Sequence, residues 1–84
     1  MYKVTSNLES GHGRSDITLL PLSKEYPSVI VEFKQGENLE QLKKEALNQI
    51  LENEYFAGIS GEIICVGLAH DKKRCEMEYQ VLWR

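Results

Sequence analysis

Apolar and polar residues alternate along several short segments of this chain, and each such segment is expected to form a β-strand. Residues 2–5 alternate with β-type side chains, and the segment 6–13 that follows is rich in turn formers. Residues 16–20 predict a second strand, which Pro21 ends. The segment 28–34 is the clearest strand, because β-branched and aromatic residues dominate it and apolar residues occupy both of its faces. Such a strand indicates a central position in the sheet.

The second half of the chain combines one helix with two further strands. From Leu39 to about Glu54 apolar residues recur at helical spacing, and Asn38 precedes them as an N-cap. After a glycine-containing break, residues 62–69 predict a buried strand. A charged turn then leads into a half-exposed final strand over residues 75–83. One face of this strand carries Met77, Tyr79, Val81 and Trp83, and the other carries Glu76, Glu78 and Gln80.

This order of elements, three strands, a helix and two strands, predicts an α/β (α+β) domain whose mixed β-sheet has the helix crossing one face. Residues 1–84 are expected to form one domain, since a chain of 84 residues has room for a single small core. A domain of this size is only marginally stable alone, so contact with other protein is expected to matter. Tyr79 and Trp83 are therefore interpreted as core or interface residues rather than as platforms for base stacking.

Composition and charge are those of an ordinary soluble domain. Hydrophobic residues make up 42% of the chain, charged residues 27%, and the formal net charge is −3. A domain that grips nucleic acid is normally basic, so this charge argues mildly against avid DNA binding, although acidic metal ligands would themselves lower it. The sequence contains no signal peptide and no apolar run of membrane-spanning length. Together with the presence of only two cysteines, this predicts a cytoplasmic protein. A hairpin of the last two strands would keep Cys65 and Cys75 apart, so no disulfide is expected between them.

Two charged residues lie on the strand that is otherwise suited to a core. Alternation sends Glu32 and Lys34 to the same face as Ile30, where burial of either charge alone would be costly. A solvated ion pair is the ordinary explanation. Asp16 favours a second explanation, a metal site, because it begins the second strand and its carboxylate can project beside Glu32. Two carboxylates with water and phosphate suit Mg²⁺, and a lysine two residues beyond one ligand suits stabilisation of developing phosphoryl charge or orientation of the attacking water.

The predicted helix carries one polar residue at the edge of its apolar stripe. Gln49 lies seven residues after Leu42 and three after Ala46, on the edge that faces the sheet. A hydrogen bond to a strand end would satisfy the Gln49 amide. The alternative interpretation is that Gln49 reaches the edge of the proposed site.

Three ordered motifs together resemble a known family. They are Glu9-Ser10-Gly11-x-Gly13-Arg14-x-Asp16-Ile17, then Pro27-x-x-Ile30-x-Glu32-Phe33-Lys34, then Ala46-Leu47-x-Gln49-Ile50 with Tyr55. In this order they resemble the PD-(D/E)XK nuclease domain found at the C-terminus of many bacterial AAA-ATPase-like proteins. The resemblance spans roughly residues 2 to 74 and rests on several motifs, so it is more specific than Glu-x-Lys alone.

The resemblance implies a restriction-endonuclease-like fold and hydrolysis of phosphodiester bonds with Mg²⁺ or Mn²⁺ as the cofactor. It also implies a nucleic-acid partner, with DNA as the expected substrate. On this reading Asp16 and Glu32 bind the metal ion and belong to the catalytic site. Lys34 is the catalytic lysine, and Gln49 is the helix-borne glutamine of the same site.

One element of that family has no counterpart in this sequence. Family members carry an α-helix before the first strand, whereas the first strand begins here at Tyr2. We therefore expect a domain truncated at its N-terminus, either as a fragment of a larger ATPase-like protein or through loss of that helix. Because the helix covers one side of the sheet, we also expect exposed apolar surface and a homo-oligomer. A non-catalytic dimerisation or partner-docking module that retains the nuclease-like fold is the alternative function.

Other residues near the motifs are accessory candidates. Glu9 matches a family acid that precedes the glycines, and Arg14 matches the arginine of the Gly-Arg-x-Asp segment. His12 is interpreted as an exposed turn residue, with a metal or proton-transfer role as the alternative. The basic clusters at residues 43–44 and 72–74 are interpreted as solvated charge, with phosphate contact as the alternative.

Overall fold

The strands and the helix of the computed structural model follow the predicted order. The structure describes residues 2–6, 9–10, 13–14, 16–23 and 25–84. The elements are β1 (Tyr2–Ser6), β2 (Glu9–Ser10), β3 (Gly13–Arg14), β4 (Ile17–Pro21), β5 (Ser28–Gln35), α1 (Leu39–Glu52), β6 (Glu62–His70) and β7 (Cys75–Trp83). Five of the strands form one sheet in the order β1-β4-β5-β6-β7, and β2 pairs with β3 separately. The segment predicted as a long turn therefore contains two short strands.

The main sheet is mixed, as predicted. β5 and β6 are parallel, while the pairs β1 with β4, β4 with β5, and β6 with β7 are antiparallel. Two parallel neighbours require a crossover connection, and α1 provides it by leaving the end of β5 and returning across one face to the start of β6. β5 occupies the central position in the strand order, which confirms the prediction made from its two-sided apolar character.

Local sequence sets both ends of α1. Asn38 caps the helix as predicted, because its side-chain Oδ1 accepts a hydrogen bond from the Gln41 N–H at 3.2 Å. The helix ends at Glu52, slightly before the predicted end, because Glu54 takes a left-handed backbone conformation with φ 51°. Within the described residues α1 is the only helix, and no helix there is long and apolar enough to cross a membrane.

The hydrophobic core fills the space between α1 and one face of the sheet. Its buried members are Ile30, Leu47, Ile50, Tyr55, Ile63 and Cys65. Gly67 on β6 allows the helix to approach the sheet closely, since a Cβ atom at this position would overlap the backbone of Lys43 and Leu47. This close approach lets side chains at the edge of α1 reach side chains on β5.

The opposite face of the sheet is apolar, and no helix covers it in the part of the chain that the structure describes. The predicted alternation of β7 is confirmed, and its apolar face is the outward one. Tyr79 is 65% exposed and Trp83 is 75% exposed. Of the two predicted alternatives, core and interface, the core is therefore wrong, because α1 packs against the other face, and the interface stays a prediction. On that inner side Glu76 forms an ion pair with Lys43 of α1, with 3.2 Å between Glu76 Oε1 and Lys43 Nζ.

Both cysteines are free, as predicted. In the antiparallel pairing of β6 with β7, Cys65 lies opposite Gln80 and Cys75 lies opposite His70, so the two thiols are far apart along the ladder. Burial raises the pKa of the Cys65 thiol to about 11, which keeps it protonated and unreactive at neutral pH. Cys65 is therefore not a candidate for covalent catalysis.

Candidate active site

Asp16 lies immediately before β4, level with Glu32 on β5. The antiparallel register pairs Ile17 with Val31, so the preceding residue of β4 comes beside the following residue of β5. Asp16 Oδ2 accepts a hydrogen bond of 2.7 Å from the backbone N–H of Phe33. This bond holds the Asp16 carboxylate against β5, where it is a close neighbour of the Glu32 carboxylate.

Gln49 holds the Glu32 carboxylate from the side of the helix. The Gln49 amide nitrogen Nε2 donates to Glu32 Oε2 at 2.9 Å and to the Tyr55 hydroxyl oxygen, also at 2.9 Å. Tyr55 is 4% exposed, and its hydroxyl oxygen accepts a second, longer bond of 3.4 Å from Asn53. Both amide hydrogens of Gln49 are thus engaged, and the orientation of its side chain is fixed from two directions.

Glu32 is a buried acid with one unsatisfied oxygen. The residue is only 7% exposed, and its Oε1 atom has no hydrogen-bond partner within the described residues. Burial raises the pKa of the Glu32 carboxyl above its ordinary value, and the negative charge of Asp16 raises it further. The Lys34 charge and the Asp16 backbone N–H oppose this shift, although that N–H does not reach hydrogen-bond geometry with Oε1. Such an oxygen costs free energy unless a proton or a cation satisfies it.

Lys34 lies two residues beyond Glu32 on β5 and therefore shares its face of the sheet. It is half-buried, and in the described part of the chain no carboxylate forms an ion pair with its ammonium group. With α1 and the segment after it, Lys34 lines a cleft of about 440 Å³. The other lining residues are Glu45, Asn48, Gln49, Glu52 and Asn53. The ammonium group is therefore available to a ligand in this cleft.

The comparison with protein families decides what kind of chain this is. The sequence profile of the PD-(D/E)XK nuclease superfamily matches residues 1–80 of the chain. The chain belongs to the PD-(D/E)XK nuclease superfamily. Its mixed five-stranded sheet with one crossing helix agrees with the restriction-endonuclease-like fold of that superfamily. No curated protein and no solved structure matches the chain.

Nucleases of the PD-(D/E)XK superfamily generally use divalent metal ions, and the donor atoms around Glu32 suit such an ion. Asp16 and Glu32 offer two carboxylates, one of which has a buried oxygen without a partner among the described residues. Among those residues no three or more His, Cys, Asp or Glu side chains lie together so that they could hold a metal ion. Mg²⁺ needs no such group, because one or two carboxylates, water and substrate phosphate can complete its octahedron.

Four of the predicted site residues come together in the structure: Asp16, Glu32, Lys34 and Gln49. The explanation of Glu32 and Lys34 as a solvated ion pair is wrong, because Glu32 is buried and is bound by Gln49. The two accessory candidates lie opposite each other, since Glu9 pairs with Arg14 between β2 and β3. Their side chains lie outside the described part of the structure, as does all of His12.

Tyr55 and Asn53 complete the site but received no role from sequence reasoning. Tyr55 entered only as part of the family motif. Its distance from Gln49 is six residues, which is not a helical spacing, so it reaches Gln49 only because the chain turns back after α1. The left-handed residue Glu54 makes that turn, and a positive φ at a glutamate is not readable from sequence.

Proposed function

We propose that this chain is a metal-dependent nuclease that hydrolyses phosphodiester bonds, with DNA as its substrate. The observation that carries the proposal is the buried Oε1 of Glu32, which lacks a partner within the described residues and lies beside a second carboxylate. A carboxylate in this position is unfavourable for folding, and a bound cation would account for it. Membership of a nuclease superfamily supports a catalytic role for this cation in phosphodiester hydrolysis.

The proposed roles follow from where each side chain lies. Asp16 and Glu32 would hold Mg²⁺ or Mn²⁺, which when bound supplies Lewis acidity and a more acidic water molecule. Lys34 would stabilise the negative charge that develops on the phosphate in the transition state. Gln49 is a positioning residue, because it contacts Glu32 and fixes the direction of its carboxylate.

Cleavage of supercoiled and branched DNA in the presence of Mg²⁺ or Mn²⁺ tests the proposal. Asp16→Asn and Lys34→Ala should each reduce the cleavage rate by roughly 100-fold or more, the range for loss of an electrostatic group at a reacting phosphate. Lys44→Ala is the matched control, since Lys44 is exposed on α1 and pairs with Glu40. Cutting that persists unchanged in Asp16→Asn or Lys34→Ala would contradict the assignment.

The open face of the sheet favours a second candidate function, dimerisation of two copies through this face. Large apolar side chains are exposed there; they are Val4, Phe33, Met77, Tyr79, Val81 and Trp83. Five strands about 4.8 Å apart and about seven residues long give a face on the order of 500 Å². Two copies would then bury on the order of 1,000 Å², the lower limit for a specific interface.

Light scattering during size-exclusion chromatography tests the dimer. Wild type should elute at twice the chain mass, and Tyr79→Lys should shift it to the monomer while the melting temperature stays within a few degrees. Lys3→Ala, at the far edge of the sheet, is the control. A strictly monomeric wild type that cleaves DNA well would eliminate this candidate. A neighbouring ATPase-like protein and a cytoplasmic location stay predictions.

A further inference from the structure

The turn between β6 and β7 is held in one shape by Asp71. Asp71 Oδ1 accepts hydrogen bonds of 2.7 Å from the backbone N–H groups of both Lys73 and Arg74, and the Asp71 N–H donates to the Arg74 carbonyl at 3.0 Å. Asp71 Oδ2 also pairs with the Arg74 guanidinium at 3.3 Å. The turn is therefore closed by its own groups, and the side chains of Lys72 and Lys73 take no part in closing it.

Three of the four unpaired cations in the described part of the chain lie at one end of the sheet. Four basic side chains are already engaged; they are Lys43 and Lys44 with acids, Arg74 with Asp71, and Arg84 with the Phe56 ring. Within the described residues Lys3, Lys34, Lys72 and Lys73 have no such partner. Lys34, Lys72 and Lys73 lie at the end of the sheet where the parallel strands β5 and β6 finish, whereas Lys3 lies on the edge strand, level with the start of β5.

Lys34 and the turn are separated by a short distance that the strand register fixes. Lys34 pairs with Ala69, and the Gly36 N–H donates to the carbonyl of His70 at 3.2 Å. Three residues lead from Ala69 to Lys72, so the turn lies roughly 10 Å from Lys34 at about 3.3 Å per residue and about 4.8 Å per strand.

An open groove of about 690 Å³ occupies the space between the turn and the end of β5. Its lining residues are Gln35, Gly36, Glu37 and the four turn residues from Asp71 to Arg74. The charges of Asp71 and Arg74 compensate each other, which leaves two lysines against the single carboxylate of Glu37. The groove therefore carries a local positive excess on a chain whose formal net charge is −3.

We propose that Lys72 and Lys73 hold the phosphodiester backbone of the nucleic-acid substrate roughly 10 Å from the bond that Lys34 faces. This inference rests on the nuclease function proposed above and gives the substrate a second point of attachment. Backbone contacts of this kind position a nucleic acid without reading its bases. Lys72 and Lys73 are positioning residues, and they do not contact the reacting phosphate.

Binding without cleavage tests this inference. Fluorescence anisotropy of labelled DNA in EDTA, at several salt concentrations, should show that Lys72→Ala/Lys73→Ala binds about 5- to 20-fold more weakly than wild type. The slope of log K against log salt should fall by up to about 1.8, which is about 0.9 per lost phosphate contact. In Mg²⁺ the KM for DNA should rise by a similar factor, while kcat stays within about twofold.

The matched control is Lys3→Ala/Lys44→Ala, which removes the same charge away from the groove. An equal loss of affinity in both double variants would show a net-charge effect and overturn the inference. An unchanged salt slope in Lys72→Ala/Lys73→Ala, with wild-type cleavage intact, would overturn the inference and leave the nuclease function standing. A wild type that neither binds nor cleaves DNA would overturn both.

Discussion

Gln49 on α1 and Glu32 on β5 are joined by a hydrogen bond of 2.9 Å, although they are 17 residues apart in sequence. The bond exists because Gly67 lets the helix lie close to the sheet and because Tyr55 holds the other hydrogen of the same amide. It leaves Oε2 of Glu32 satisfied and Oε1 without a partner in the described part of the chain. The direction of the Glu32 carboxylate is thus set by the helix.

Gln49→Ala should weaken binding of Mn²⁺ by about 10- to 100-fold, the range seen when a group that orients a metal ligand is removed. The fold should survive, since Gln49 is only partly buried. Calorimetric titration with Mn²⁺ measures the affinity. Gln41→Ala, the same change in the first turn of α1, should leave it unchanged, and an equal affinity in Gln49→Ala would show that the bond to Glu32 does not orient the carboxylate.

The buried acid should make stability depend on pH in the metal-free protein. The raised pKa of Glu32 means that the folded state binds a proton more tightly than the unfolded state, so its contribution is present at low pH and is lost as pH rises through the raised pKa. Glu32→Gln should therefore melt a few degrees higher than wild type in EDTA at neutral pH, with the difference vanishing in acid. Glu37→Gln, at an exposed acid, is the control. A difference in melting temperature between wild type and Glu32→Gln that is the same at neutral and acid pH would refute this account.

Gly67→Ala should destabilise the fold by about 3 kcal/mol, because its methyl group would overlap the backbone of Lys43 and Leu47 and neither can move freely. Gly58→Ala is the comparison, since its methyl group enters open space and only the left-handed backbone at φ 84° costs free energy, about 1 kcal/mol. Urea unfolding measures both. Equal losses in the two variants would show that α1 does not need the close approach.

Sequence patterns predicted the order of elements, the mixed sheet, the central place of β5 and the Asn38 cap, because each of these depends on local periodicity or on a local hydrogen bond. They also predicted the two faces of β7. They could not predict which face would be covered, since that depends on the side to which the crossover helix returns. For this reason the sequence left core and interface open for Tyr79 and Trp83, and the structure excludes the core.

For the site, sequence placed Glu32 and Lys34 on one face and suggested that Asp16 and Gln49 approach it. The hydrogen bond from the Phe33 N–H to Asp16 could not be predicted, because it depends on the register of β4 against β5. The hydrogen bond from Gln49 to the Tyr55 hydroxyl could not be predicted either, because it depends on the left-handed turn at Glu54. The burial of Glu32 could not be predicted either, because an acid next to a lysine on a strand is ordinarily solvated. The accessory roles of Glu9, Arg14 and His12 stay predictions.

Titration of the metal-free protein with Mn²⁺ tests the central claim, that Asp16 and Glu32 together hold a divalent cation. Wild type should bind the ion, and Glu32→Gln and Asp16→Asn should each bind it more than about 100-fold more weakly, because each removes a ligand rather than a group that orients one. Glu25→Gln, at an exposed acid in the segment before β5, should bind as wild type does. Equal Mn²⁺ affinity in wild type and Glu32→Gln would contradict the account.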